Sequence, residues 1–368
     1  MGRKLLWFFA LVAICLAPRA QTVARSQERP KLKRRTVSPR AWFRRGLAFG
    51  GDKLVFAHDT NGDILESMDL SGDDVRKFAP TIDAYGGTSS NFFEHPVASS
   101  VGLGGFPCRD FYVGAGKDIL HVTNDGRTVD TFVTGLDGDV RVMLFDLSGG
   151  FGNDMLVGTR NGYVYRISSL RAILRMSSLG ELIGGMDVAP TKQDYGKLGD
   201  QLFVVSGISG HLWAISPSGE TTAVNVSRHI YGAEGLYFVP PDFGGRQEEG
   251  FYRVLWPFGL TKIEASDFAT LRGDAFITKL DEGETFERLR WNGASFDIST
   301  VGQLDDEIIA ELFVTPKMLD PGNGCHTDEK KSKEYSASSE IVRFLRPEYY
   351  RLMTQAEFAP PTAVQIRH

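Results

Sequence analysis

Apolar residues in this chain fall in short runs, and most runs are cut by a glycine-bearing turn and then resumed. Residues 154–168 read DMLVGTRNGYVYRIS, an apolar run, Asn-Gly and a second run. The same phrase returns as KLVFAHDTNGDILESMDL (53–70), DFYVGAGKDILHVTN (110–124), QLFVVSGISGHLWAIS (201–216) and YRVLWPFGLTKIEAS (252–266). The runs are too short for helices and rich in β-branched and aromatic residues, which predicts strands. Asn-Gly and Ser-Gly accept the positive φ of a two-residue hairpin turn, which predicts that paired runs are hairpins. The first apolar residues after the turns are Ile64, Ile119, Val164, Leu212 and Leu260, at spacings of 55, 45, 48 and 48 residues.

Each hairpin is flanked by further strand-like runs, such as VRVMLFDL (140–147) before and AILRM (172–176) after the third copy. Four strands in each repeat of roughly 40–50 residues is the period of a propeller blade, whose faces are buried only when blades stack in a ring. A sixth, split copy places SFDISTV (295–301) innermost, then ELFVTP (311–316) and SEIVRFL (339–345). The fifth blade is read as 233–240, the 252–266 hairpin and 274–280. The expected fold is all-β, a six-bladed propeller of four-stranded antiparallel blades over residues 46–345. Residues 317–338 are expected to be an insertion in the last blade and a dispensable surface loop. The missing outer strand falls to 36–43 or 362–368, with the N-terminal segment preferred, and 346–368 is left as a tail.

The rhythm, and phrases such as GHLWAISPSGE (210–220), resemble the superfamily of NHL-repeat, gluconolactonase-like and strictosidine-synthase-like propellers. The resemblance covers about residues 46–345 and implies a fold more than an activity. Gluconolactonase-like enzymes hold a divalent metal with Glu and Asn/Asp on inner strands. AEGLYF (233–238) looks like their Glu-Gly phrase, which would make Glu234 a ligand, but it opens the fifth blade rather than an early one. NDGR (124–127) also looks familiar, yet it follows a third strand, on the other face. No inner strand carries a matching Asn.

Composition is ordinary for a globular chain, with 42% apolar and 24% charged residues, while 41 glycines suit a turn-rich fold. Residues 1–20, with Arg3, Lys4 and the apolar Leu5–Ala17, read as a secretory signal peptide, implying a periplasmic or extracellular protein. Charge is uneven. With +3 in residues 1–20 and +8 in 21–45, the formal net charge of −5 leaves −16 for residues 46–368. An acidic body argues against nucleic acid as a partner. The basic 21–45 segment is expected to be a solvated linker that can touch anionic surfaces. Cys108 and Cys325 remain after export, and their loops are expected on opposite faces, which leaves their pairing open.

Charged residues near the starts of inner strands suggest a polar pocket at the channel mouth, centred on Arg141, Asp187, His229, Tyr231 and Glu234. The alternative for the same residues is a set of ion pairs between blades. No cofactor is certain; DLSGGFGND (146–154) reads as an ordinary tight loop or, alternatively, as a calcium loop with Asp146, Ser148 and Asp154 as oxygen ligands. That loop resembles the FG-GAP loop of other propellers, except for Gly150 in place of a carboxylate. Haem attachment at Cys325-His326 lacks the second cysteine it needs. No Ser-His-Asp phrase, G-x-S-x-G elbow or P-loop is present. The reading is an exported module that binds a small molecule or protein through its channel mouth and loops. The alternatives are a metal-dependent hydrolase, lactonase or lyase, and a quinone-dependent dehydrogenase.

Overall fold

The computed structural model describes residues 34–38, 44–58, 64–70, 74–85, 95–256, 259–279, 285–303, 307–322 and 325. The chain enters through β1 (Arg34–Ser38) and builds its first sheet from β2 (Arg44–Phe49), β3 (Leu54–His58), β4 (Ile64–Met68) and β5 (Arg76–Phe78). The second sheet is β6 (Val97–Val101), β7 (Cys108–Ala115), β8 (Asp118–Val122) and β9 (Val129–Val133). The third is β10 (Val140–Phe145), β11 (Met155–Thr159), β12 (Tyr163–Ile167) and β13 (Ile173–Ser178). The fourth is β14 (Ile183–Val188), β15 (Leu202–Ser206), β16 (Leu212–Ile215) and β17 (Thr221–Ala223), with the one-turn α1 (Lys192–Tyr195) between its first two strands. All pairings within these sheets are antiparallel. The protein is a six-bladed β-propeller, and none of its described helices is long and apolar enough to cross a membrane.

Side chains on a strand alternate between faces, so each sheet serves two interfaces. Phe203 and Val205 pack toward the fifth blade, while Leu202 and Val204 pack toward the third. Six apolar clusters fill the six junctions around the ring. This double burial explains the unbroken apolar runs: β11 and β15 are buried at every position. Outer strands have one neighbour, and β17 is exposed throughout. The turn glycines Gly162 and Gly210 have φ of 88° and 67°, as the hairpin motif requires.

The last two blades are interleaved, which corrects the strand assignment made from the repeat. The fifth sheet runs β18 (Ala233–Phe238), β21 (Ala275–Lys279), β22 (Thr285–Trp291) and β23 (Phe296–Gln303). The hairpin β19 (Gly250–Trp256) and β20 (Gly259–Glu264) leaves that blade and joins the sixth, between innermost β24 (Glu307–Val314) and outermost β1. The run at 295–301 is therefore an outer strand, and 311–316 ends an inner one. β19 pairs with β24 from Gly250↔Val314 to Trp256↔Glu307. A periodic apolar pattern cannot tell which neighbour a hairpin joins. Phe251 meets Phe276 of the fifth blade and Phe313 of the sixth, so its burial is served either way. The outer edge of the sixth blade is N-terminal, with β1 pairing β20 from Arg34↔Ile263. The runs at 339–345 and 362–368 lie outside the described residues.

Because β24 is innermost, the chain leaves it on the face where inner strands end. That is where β7 begins, and Cys108 and Cys325 are joined there as a disulfide with a Cα–Cα distance of 5.1 Å. The expectation of opposite faces followed from the wrong strand assignment. The connecting segment starts with α2 (Pro316–Leu319), whose first turn is capped by Thr315. Met318 is buried in the junction between the sixth and first blades. Arg109 donates to the carbonyls of Met318 and Leu319 and lies over the Phe49 ring. The described part of 317–338 is thus a strap across the ring seam, tied to the second blade by Arg109 and the disulfide.

Candidate functional site

The inner strands β2, β6, β10, β14, β18 and β24 surround a cavity of about 800 Å³. At one end its lining stops at Gly46, Pro96, Arg141, Gly184 and Glu234, near the starts of those strands. At the other it continues past their ends to Ser148, Thr191, Asp194, Asp200, Asp242 and Lys317. The walls between are largely apolar and include Val97, Met143, Met186, Leu236, Phe238 and Leu312. The mouth therefore lies on the face of the strap and disulfide, opposite to the face on which the pocket is expected from sequence.

Arg141 on β10 pairs with Glu234 on β18, reaching past the inner strand that lies between them. Two glycines on the intervening β14 let it pack closely on β18. A Cβ on Gly184 would stand 2.1 Å from the Ala233 carbonyl oxygen, and one on Gly185 would stand 2.3 Å from the Leu236 nitrogen. Without side chains at those positions, β14 and β18 touch backbone to backbone. Glu234 is thus an inter-blade ion-pair partner within the wall, with 24% of its side chain exposed against 8% for Arg141.

Asp187 is the fifth residue of β14, so it lies toward the mouth end rather than at the strand start. Its carboxylate accepts the N–H of Phe238 at 2.7 Å and that of Val188 at 2.8 Å. The first bond satisfies an N–H on the free inner edge of β18, which no strand can reach. Burial pushes this carboxyl up to about 7, against the opposing effect of the two N–H donors. Glu311 on β24 also lines the cavity. Its carboxyl accepts from the Thr278 hydroxyl, and burial pushes it up to about 8 although Thr278, Arg253 and Tyr237 pull it down. The Tyr237 hydroxyl donates to the Glu311 backbone carbonyl at 3.4 Å and is itself driven well above its ordinary pKa by burial and the surrounding carboxylates.

Of the five pocket residues expected from sequence, Arg141, Asp187 and Glu234 line the cavity. His229 and Tyr231 do not. They lie on the exposed rim beside His211, whose ring centroid is 4.6 Å from that of His229, and Tyr231 is 60% exposed. Both sit between an outer strand and the next inner strand, which places them on the rim opposite the mouth. Tyr237 and Glu311 are among the lining residues that sequence reasoning passed over. Tyr237 sits inside an apolar run, and Glu311 lies in a run assigned to the wrong strand position.

The residues of the 146–154 loop do not fit a cation. The Asp146 carboxylate is buried and accepts N–H groups from Ser148, Gly149, Phe151 and Asn153, together with the Ser148 hydroxyl. Donors surround it, where a cation needs acceptors. Asp154 faces Arg166 at 2.6 Å. Among the described residues, no three His, Cys, Asp or Glu side chains are grouped to hold a metal ion.

No family model matches the chain, and no curated protein matches it. Solved structures do match. A nidogen/laminin complex aligns at 11% identity and TM-score 0.44, over 73% of this chain and 83% of the other. A catalytically inactive virginiamycin B lyase from Staphylococcus aureus, solved with quinupristin, aligns at 14% identity and TM-score 0.44, over 70% and 69%. A gluconolactonase-like protein aligns at 9% identity and TM-score 0.49, over 77% and 86%. These likenesses concern the fold alone.

Proposed function

We propose that this propeller is an exported binding module that lodges a small molecule in its central cavity. The observation that carries the reading is the cavity itself. Its volume of about 800 Å³ lies within the range of small-molecule sites, and its apolar walls carry a few convergent polar groups. Export is supported by the basic and apolar start of the sequence and by the Cys108–Cys325 bond, which suits an oxidising compartment. A metal-dependent lactonase would ask Glu234 to hold a divalent cation, yet its carboxylate is engaged by the Arg141 guanidinium. Binding is therefore the better supported reading.

The test is a thermal-shift screen of a chemically diverse small-molecule set against the protein and its Val188→Trp variant, which fills the cavity from the wall. Compounds that raise the melting temperature of the protein but not of the variant support the reading. Shifts that persist in the variant place binding elsewhere, and a screen without shifts removes the reading.

A further inference from the structure

Asn225-Val226-Ser227 follows β17 at the outer edge of the fourth blade, away from the cavity lining. It has the form Asn-x-Ser/Thr, with x other than Pro, and this form occurs at no other position in the sequence. Extended backbone sends alternate side chains to opposite faces. Val224 is buried and Val226 packs against the core between the fourth and fifth blades, so Asn225 and Ser227 share the outer face, and both are exposed. The chain here runs beside the start of β23 in the fifth blade, through the parallel bridge Val226↔Phe296. The Asn225 carbonyl accepts from the Phe296 N–H at 2.9 Å, and the Ser227 N–H donates to the Phe296 carbonyl at 3.0 Å. The Ser227 hydroxyl accepts from the Ile298 N–H at 3.0 Å. The Asn225 side-chain amide takes no part in these bonds.

We propose that Asn225 is the acceptor of an N-linked oligosaccharide, attached while the chain is exported through a eukaryotic secretory pathway. The inference rests on the reading of the protein as exported and adds a covalent modification to it. In the transfer, the Asn225 amide nitrogen forms a bond to the anomeric carbon of an oligosaccharide carried on a lipid pyrophosphate. The bond from that carbon to the pyrophosphate oxygen breaks, the amide gives up one proton, and the lipid pyrophosphate leaves. The exposed position lets a bulky, polar glycan stand in solvent without displacing packed side chains. The Cys108–Cys325 bond suits the oxidising lumen in which such transfer occurs. The fold also sets when the transfer takes place. Ser227 supplies the hydroxyl of the acceptor signal, and in the closed ring that hydroxyl is engaged by Ile298, 71 residues further along the chain. At a synthesis rate of roughly 5–20 residues per second, Ile298 follows the acceptor by roughly 4–14 s. Modification belongs to that interval, before β23 pins residues 225–227.

The experiment expresses the full chain, with its own N-terminus, in cultured animal cells. The mobility of the denatured protein from cells and from medium is read before and after an amidase that removes Asn-linked glycans. A mobility shift that the amidase abolishes is expected. Asn225→Gln and Ser227→Ala should lose the shift, while Ser227→Thr, which keeps the hydroxyl, should retain it. Because denatured chains are compared, a variant that fails to fold is still read. A shift that survives in Asn225→Gln overturns the assignment. Secreted protein without a shift overturns it too, but leaves export standing. Protein found only in the cytosol removes export and the inference with it. The timing is tested on folded, disulfide-bonded protein produced in bacteria and exposed to microsomal transferase with its lipid-linked donor. Modification is expected only after reduction and unfolding. Equal modification of the folded chain overturns the assigned interval.

Discussion

Arg141 and Glu234 pair across an inner strand that belongs to neither of their blades. One ion pair thereby ties the third blade to the fifth. Breaking a buried pair costs more than the pair contributes, because the remaining charge is left unmatched. Glu234→Ala is expected to lower unfolding stability by about 3 kcal/mol, read from the urea midpoint. The double variant Arg141→Met with Glu234→Leu should recover most of that loss, since neither charge then remains in the wall.

The close approach of β14 and β18 makes Gly185 sensitive. A Cβ there meets backbone atoms of Gly235 and Leu236, which cannot rotate away as a side chain would. Gly185→Ala is expected to destabilise the protein by about 3 kcal/mol or more, measured by chemical denaturation. It should also disturb the Asp187 to Phe238 bond and with it any ligand affinity of the cavity.

The strap closes a loop of very large span, with 217 residues separating Cys108 from Cys325. Cross-links of this kind restrict the unfolded chain most when the loop is long. Cys325→Ser, or reduction with a dithiol, is expected to cost about 2–5 kcal/mol, read as a shift of the urea midpoint. An unchanged midpoint would show that Arg109 and the burial of Met318 hold the strap without the bond.

His121 on β8 gives the second blade a pH-dependent clamp. Its ring bonds Asp110 at 2.7 Å and reaches Asp130 at 3.4 Å. Burial lowers the imidazole pKa, but the two carboxylates outweigh burial and the net shift is upward from 6.5. A raised folded value means the stabilisation is complete below 6.5 and is lost as pH rises through the folded value. His121→Gln is expected to remove this slope from melting curves taken across that window. Equal slopes in both proteins would refute the role.

Asp187 has the same sign for a different reason. Burial raises its carboxyl from 3.8 to about 7, so the neutral form is favoured in the fold and ionisation at higher pH costs stability. Asp187→Asn should therefore become more stable relative to the unsubstituted protein as pH rises through about 7, as judged by thermal melts. A constant difference across that range would place the titration elsewhere.

Much of the ring was legible in the sequence because its cause is local. Short apolar runs with turn glycines at Gly162 and Gly210 dictate hairpins, and their repetition demands a stack that buries both faces of each sheet. Arg141, Asp187 and Glu234 could be singled out because charge is unusual on inner strands. What the chain does not write locally is which strand a hairpin joins. Phe251 is satisfied against Phe276 or Phe313, so only long-range pairing decided that β19 and β20 belong to the sixth blade. That one choice moved Glu311 onto the cavity wall, turned the chain after Val314 toward the opposite face and brought Cys325 to Cys108. Strand period and turn chemistry are properties of neighbouring residues and survive in the sequence. The place where the ring closes is a competition among distant, equally apolar partners, and the tertiary structure alone resolved it.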